Sequence, residues 1–297
     1  MLLPSTIPTV SSELPYKLGE MVGQGRYGQV FVATHKATGE VVALKSLDCQ
    51  RLSTRLFLQE LDFLVRLRHP HIVSWLGVLG SENCRYVMMD YCDGGSLRTM
   101  MEQDTILPLD LSLRWIEEIL LALDYIHEHD VVHCDIKPDN ILLSGQPAIP
   151  QLADFGISKP IVKRFGDKGG TPSSTGSPAY MAPERYYGHY YPASDLYAIG
   201  VILFELVVGS RPFVGTPKQI QLAHLNQPVA IPQSVPFLIR SLILKAMQKM
   251  HQNRYQSAKE MLQVVQTARI VAELELTGNG CQSVNSPQQE SLQIASE

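Results

Sequence analysis

The sequence has little of what marks several large protein classes. Its 297 residues include five cysteines (Cys49, Cys84, Cys92, Cys134 and Cys281), an odd number with no CxxC pair and no metal-ligand spacing. This argues against a disulfide framework, and free thiols in a reducing compartment are expected. No apolar run is long enough to span a bilayer; the best, Leu196 to Gly209, contains Glu205 and reads as a buried helix. Met1 to Pro15 carries prolines at 4, 8 and 15 but no lysine or arginine, so a secretory signal is not expected. There is no basic footprint for nucleic acid and no polybasic stretch for a membrane surface. Internal repeats are absent. No Lys or Arg follows Arg269, whereas Glu273, Glu275, Glu290 and Glu297 do. The formal charge of −4 therefore lies at the end of the chain, and residues 1–270 balance at 25 basic and 25 acidic.

What remains is the composition of an ordinary soluble globular protein, 45% hydrophobic and 18% charged, expected in the cytoplasm. Its length suits one large domain or two lobes. Residues 16–48 read as three strands: Tyr16 to Gly23, Tyr27 to Thr34 and Val41 to Leu47, with glycine turns between them. Residues 52–67 have helical spacing through Leu56, Leu61, Leu64 and Leu67, and Pro70 closes that helix. Ile72 to Leu79 and Arg85 to Tyr91 complete a small β-rich lobe. After Asp93-Gly94-Gly95 helices dominate. In Asp110 to His129, Ile116, Ile119, Leu120 and Leu123 mark one buried face. A second helix is expected from about Ser194 to Val208, and a third from Ser257, where Glu260 three residues on suggests a capping box. Beyond about Leu276 the Gly, Asn, Gln and Ser content argues for disorder.

The chemistry is written in His133-Cys134-Asp135-Ile136-Lys137-Pro138-Asp139-Asn140. A carboxylate at Asp135 can orient and deprotonate a hydroxyl. The Asn140 amide oxygen can help hold a divalent cation, and Lys137 lies between to meet a phosphate. Fourteen residues on, Asp154-Phe155-Gly156 offers a second acid able to ligate metal. Phosphoryl transfer calls for such parts, because its transition state spreads charge over oxygens and asks for positioning and electrostatics. From these residues the chain resembles the eukaryotic-type (Hanks-type) serine/threonine protein kinases.

The resemblance implies an α+β, two-lobed protein kinase fold with the ATP site in the cleft, and ATP and Mg²⁺ as cofactors. Gly23-Gln24-Gly25-Arg26-Tyr27-Gly28-Gln29-Val30 fits GxGxxGxV. Alone such a pattern more often marks an ordinary turn, but a strand follows it here and not the helix of a Rossmann site. Its glycines would approach phosphates, and Val30 would cover the adenine. Strand periodicity puts Ala43 and Lys45 on one face, with room for adenine beside Ala43 and Lys45 reaching the α/β-phosphates. By family spacing Glu60 would pair with Lys45. Met89 would guard the back of the pocket, and backbone groups of Asp90 and Cys92 would bond the base, although an edge strand and turn explain Gly94-Gly95 equally well. Asp135 and Lys137 would be catalytic, and Asn140 and Asp154 would hold metal. Glu184, in Ala182-Pro183-Glu184, would pair with Arg254, and Asp195 would hold the catalytic loop; both are supports.

One departure stands out: Cys134 occupies a position where many members have an arginine that gathers an activation-segment phosphate. A buried, inert thiol is expected there, with a redox role as the alternative. The hydroxyl-rich stretch Lys168 to Ser177 reads equally as an autophosphorylation cluster or as a solvated loop. The expected organisation is an extension (1–15), an N-lobe (16–92), a C-lobe (93–271) and an acidic tail (272–297). Protein Ser/Thr hydroxyls are the implied substrates, and the Asp135 to Asn140 context with Ser177 favours them over tyrosine. A pseudokinase would lack one of the key residues. A small-molecule phosphotransferase would lack the Ala182-Pro183-Glu184 segment and Arg254.

Overall fold

The computed structural model describes residues 14–25, 28–47, 61–63, 65–80, 85–103, 107–161 and 176–279. The amino-terminal runs of β-branched and aromatic residues form an antiparallel sheet of β1 (Tyr16–Gly25), β2 (Gly28–His35), β3 (Val41–Leu47), β4 (Trp75–Gly80) and β5 (Arg85–Asp90). Their order is β1-β2-β3-β5-β4, so β3 is central. Val42 and Leu44 pack with Ala33 on one face of it; Ala43 and Lys45 point to the other. Gly28 is required by the close crossing of β2 on β3, because a Cβ there would lie 1.6 Å from the Ser46 carbonyl oxygen. The strand expected from Ile72 starts only at Trp75. Ile72 bridges to Leu152, and the Val73 amide donates to the Leu152 carbonyl at 3.0 Å, which ties this stretch to the helical lobe. Of the helix expected over 52–67, residues 61–63 and 65–66 are helical, and 52–60 lie outside the described residues.

The boundary expected at residues 92 and 93 falls between β5 and α1 (Leu97–Gln103). Next come α2 (Leu109–Glu128), β6 (Val131–Val132), β7 (Ile141–Ser144), β8 (Ile149–Leu152) and β9 (Lys159–Pro160). The chain then forms α3 (Pro192–Val208), α4 (Pro217–Asn226), α5 (Phe237–Ala246) and α6 (Ala258–Asn279). α2 buries the stripe of Ile116, Ile119, Leu120 and Leu123. α3 starts two residues earlier than expected, with Pro192 in its first turn, where the missing N–H costs nothing. It is buried almost all round and stops at Gly209, whose φ of 79° suits a left-handed cap. At α6 the Ser257 hydroxyl accepts from the Glu260 amide at 3.1 Å, while the Glu260 carboxylate accepts from the Gln256 amide at 2.8 Å. α6 runs to Asn279, so the lobe–tail boundary expected at residue 271 falls inside a helix. Alanine, leucine and glutamate are strong helix formers, and Arg269 links Glu117 (2.7 Å) to Glu273 (2.6 Å) one turn on. Residues 280–297 lie outside the described residues.

One hydrophobic core crosses between the lobes. It runs from Leu47, Phe63, Leu67 and Val87 through Leu152 and Phe155 into α2 and α3. The Gly94 and Gly95 backbones are pinned to β7 by reciprocal 2.9 Å bonds with Leu143. The N-lobe sheet thus rests on the helical lobe over a shared apolar base.

His224 of α4 shows how that lobe is tuned. Its ring is fully buried; Nδ1 accepts from the Tyr197 hydroxyl at 2.7 Å, and Nε2–H donates to the Ala179 carbonyl at 3.1 Å. Burial, then the Lys249 charge, brings its pKa from 6.5 down to about 4. The unfolded chain therefore binds more protons between those values, and stability falls as pH drops from about 6.5 to 4. Urea titrations across this window should show a loss in wild type that exceeds that of His224→Gln by up to about 3 kcal/mol. Equal slopes would remove His224 from the acid response.

Candidate active site

The ladder of β2, β3 and β5 builds one wall. Val30 lies opposite Lys45, Lys45 opposite Val87, and Ala43 opposite Met89. Opposed residues share a face, so Val30, Ala43, Lys45 and Met89 line a common surface. The β1–β2 hairpin pairs Gly23 with Val30, Gln24 with Gln29 and Gly25 with Gly28; Arg26 and Tyr27 at its tip lie outside the described residues. The Asp90 amide donates to the Ser74 carbonyl at 3.0 Å, so of its two backbone groups the N–H is engaged inside the protein. Cys92 is buried, and its thiol donates to Gln151 Oε1 at 3.3 Å. Burial and the Asp90 and Asp93 charges push that thiol up to about 11.

Lys45 projects from this wall and donates through Nζ to Asp154 Oδ1 at 2.9 Å. Glu60, its expected partner, lies outside the described residues. Asp154 has a φ of 63°, unusual for a residue with a side chain, which aims its carboxylate back at β3. The Lys45 charge beside it, against the opposing effect of burial, holds its pKa down to about 2. Asp154 is therefore an anion at any physiological pH.

The loop after β6 brings the other groups together. Asp135 Oδ2 accepts from Lys137 Nζ and from Asn140 Nδ2, both at 3.1 Å, and Oδ1 accepts from the Ser177 amide at 3.1 Å. Asn140 Nδ2 also donates to the Asp135 carbonyl at 2.8 Å, closing the loop on itself. His133 is wholly buried and held neutral by desolvation. Its Nδ1 accepts from the Asp135 amide (3.2 Å) and its Nε2–H donates to the Ala153 carbonyl (3.1 Å), while the ring packs edge-on to Phe155. The stretch 133–140 and the stretch 153–155 thus form one unit. Thr171 to Thr175, in the hydroxyl-rich stretch, lie outside the described residues.

An anionic carboxylate paired to a strand lysine and a second carboxylate tied to a lysine and an amide thus lie on two stretches that His133 joins. Residues 16–276 match the protein kinase domain family. The chain belongs to that family. It is 31% identical over 257 residues to a probable serine/threonine-protein kinase of Clostridium perfringens, covering 83% of this chain and 37% of that one. It is 32% identical over 264 residues to the probable serine/threonine-protein kinase PknB of Lactococcus lactis, covering 85% and 42%. With the serine/threonine-protein kinase RUNKEL of Arabidopsis thaliana it shares 34% identity over 240 residues, covering 77% and 17%. The chain therefore spans less than half the length of these curated relatives.

The kinase domain's supports are buried. Glu184 takes a two-pronged bond from Arg254 (2.7 and 2.8 Å) and one from the Ser194 hydroxyl (2.6 Å). Arg254, with its side chain fully enclosed, also donates to the carbonyls of Gln248, Lys249 and Ala193. Burial alone would raise the Glu184 pKa, but the Arg254 bonds and charge bring it below its ordinary value. Asp195 accepts from the amides of His133 and Cys134, each at 2.9 Å, and from His127 Nε2 at 3.0 Å. His127 was not singled out by its sequence context; its place in the last turn of α2, on the face that meets α3, was the available signal. Arg98 was missed likewise. It bonds Glu205 at 2.9 Å and the Tyr180 hydroxyl, which itself donates to Glu205 at 2.5 Å. The Glu205 that interrupts the apolar run is thus a buried, paired group.

Removing one member of the Glu184–Arg254 pair leaves a buried charge without its partner. Arg254→Met should cost about 3–5 kcal/mol, while Glu184→Leu combined with Arg254→Met should recover much of that loss. Thermal melting reads both, and a single variant within about 1 kcal/mol of wild type would show that the pair is not structural.

Proposed function

We propose that this kinase domain transfers the γ-phosphate of ATP to serine and threonine hydroxyls of protein substrates, its own included, with Mg²⁺ as the cation, in the cytoplasm. The observation that carries this reading is the Asp135 carboxylate fixed by Lys137, Asn140 and Ser177, on a loop that His133 joins to the stretch holding Asp154, itself kept anionic by Lys45. The donor set fits a hard divalent ion. Asn140 turns its amide nitrogen to Asp135, so its acceptor atom is the oxygen, and Asp154 contributes an ionised carboxylate. Asn140 and Asp154 would hold the metal. The wall of Gly23, Gln24, Gly25, Gly28, Val30, Ala43 and Met89, with the backbone of Asp90 and Cys92, would receive the nucleotide. The Asp90 carbonyl is the natural acceptor, since its amide is already bonded.

When bound, ATP supplies the phosphoryl group and the metal ion neutralises charge on its oxygens. Asp135 orients the substrate hydroxyl and takes its proton at a carboxylate oxygen. Lys137, held within 3.1 Å of that carboxylate, meets the charge of the transferring group. Lys45 positions the phosphates, and Glu60 would set Lys45 in turn. Asp135, Lys137 and Lys45 are held by their own neighbours, and groups so fixed would stabilise a transition state poor in covalent demand.

Asp135→Asn, Lys45→Met and Asp154→Asn should each lower turnover by on the order of 10²-fold or more. Asp135→Asn should still bind ATP, and phosphoamino-acid analysis of products should return phosphoserine and phosphothreonine. Near wild-type turnover in Asp135→Asn would falsify the mechanism, and dominant phosphotyrosine would overturn the residue choice.

A further inference from the structure

Cys134 adopts φ 71°, a left-handed conformation that side chains rarely take and that costs on the order of 1–3 kcal/mol. Such a residue persists only where its surroundings fix it. Its amide is gripped by Asp195 Oδ1 at 2.9 Å. Its carbonyl, the peptide oxygen just before Asp135, accepts from the Arg185 guanidinium. The Cys134 side chain contributes little: it is buried, its thiol makes one weak 3.5 Å contact to the Val132 carbonyl, and burial pushes it up to about 12.

Arg185 is suited to this grip. It is 5% exposed and sits in the short turn Pro183–Tyr187, next to the Glu184 that Arg254 immobilises. Its guanidinium is backed by the Tyr190 ring at 5.4 Å. Gly176, at φ 116°, passes so close that a Cβ there would lie 3.4 and 3.5 Å from the two terminal nitrogens. The next residue, Ser177, bonds Asp135 directly. Two links from one stretch of chain therefore converge on the catalytic loop: Ser177 on the Asp135 carboxylate, and Arg185 on the peptide that aims it.

We propose that Arg185 is a positioning residue for Asp135, anchoring the catalytic loop to the far end of the segment that begins at Asp154 by a bond that requires no phosphate. The inference rests on the catalytic role of Asp135 proposed above. The acceptor is a backbone carbonyl, present in every phosphorylation state. The thiol at position 134 offers no cation with which to gather a phosphate; the guanidinium at 185 supplies the loop with a fixed tie instead. Misplacing a reacting group by about 1 Å can cost on the order of 10²-fold, so a lost tie should appear in turnover before it appears in nucleotide affinity.

The experiment uses phosphatase-treated full chain, wild type against Arg185→Met and Arg185→Lys, with two readouts. In early-time assays Arg185→Met should lower kcat about 10- to 100-fold while KM for ATP stays within about threefold, and Arg185→Lys should recover part of kcat, because an ammonium can donate to one carbonyl but lacks the fork. In hydrogen exchange, the amides of residues 133–136 should exchange at least about tenfold faster in Arg185→Met, with α3 and β3 unchanged. A kcat within about twofold of wild type, or unaltered exchange at 133–136, overturns the proposal. So does a kcat loss that only tracks the folded fraction. Exchange reads the tie without activity: if the wild type transfers no phosphate, the proposed function fails, and exchange still decides on Arg185. Should Arg185→Met not fold, Arg185→Lys carries the same comparison.

Discussion

The arrangement depends on one buried carboxylate. Asp195 is 2% exposed, and burying an anion is costly unless its oxygens are fully engaged. Three donors engage them: the His133 and Cys134 amides and the His127 ring. Burial pushes the Asp195 pKa up, but the His127 bond and charge and the Cys134 amide more than offset it, so the group remains ionised. The consequence is geometric. Asp195 belongs to α3, His127 to α2, and the amides to the loop that carries Asp135. Two helices and the loop that carries Asp135 are locked at one point, and the turn at Cys134 is held where its intrinsic preference would not put it. Asp135 inherits its direction from that turn.

From there the lobes are joined in two different ways. The shared apolar core of Phe63, Leu67 and Val87 with Leu152 and Phe155 is non-directional: it holds the sheet against the helices and tolerates small shifts. The Lys45–Asp154 pair is directional and sits where the lobes face the cleft, with the Asp154 side chain 43% exposed. A pair so placed is partly screened by water, so it contributes little to overall stability. Its role is in setting charge and orientation: it keeps one acid ionised and points it toward the wall that Lys45 shares with Val30 and Ala43.

Much of this was legible because local periodicity and motif spacing act over short stretches. The alternation through Val42 to Lys45 placed Ala43 and Lys45 on one face, and the stripe from Ile116 to Leu123 marked the buried side of α2. What escaped was set by distant partners. His127 meets Asp195 across 68 positions and Arg98 meets Glu205 across 107, and neither leaves a periodic trace. Ile72 has strand propensity yet is drawn to Leu152 of the other lobe. The acidic stretch from residue 272 was expected to be tail, although helix formers and the Arg269–Glu273 pair carry α6 onward. Gly28 answers a further demand that its motif does not reveal, the close approach of the Ser46 carbonyl.

The same division explains why the two aspartates of the site are treated so differently. Asp154 is governed by charge: Lys45 lies beside it, and a strained backbone turns it toward that lysine. Asp135 is governed by orientation: its neighbours are an amide side chain, a backbone N–H and Lys137, which fix both oxygens in space. In the roles proposed above, an ionised ligand at Asp154 would draw a hard cation whichever oxygen it presents, whereas a proton acceptor at Asp135 would have to sit within hydrogen-bond reach of the hydroxyl. The fold meets the first demand with a neighbouring cation from the other lobe. It would meet the second with the bonds from Lys137, Asn140 and Ser177, all within the helical lobe, so the proposed proton acceptor depends on no contact from the sheet.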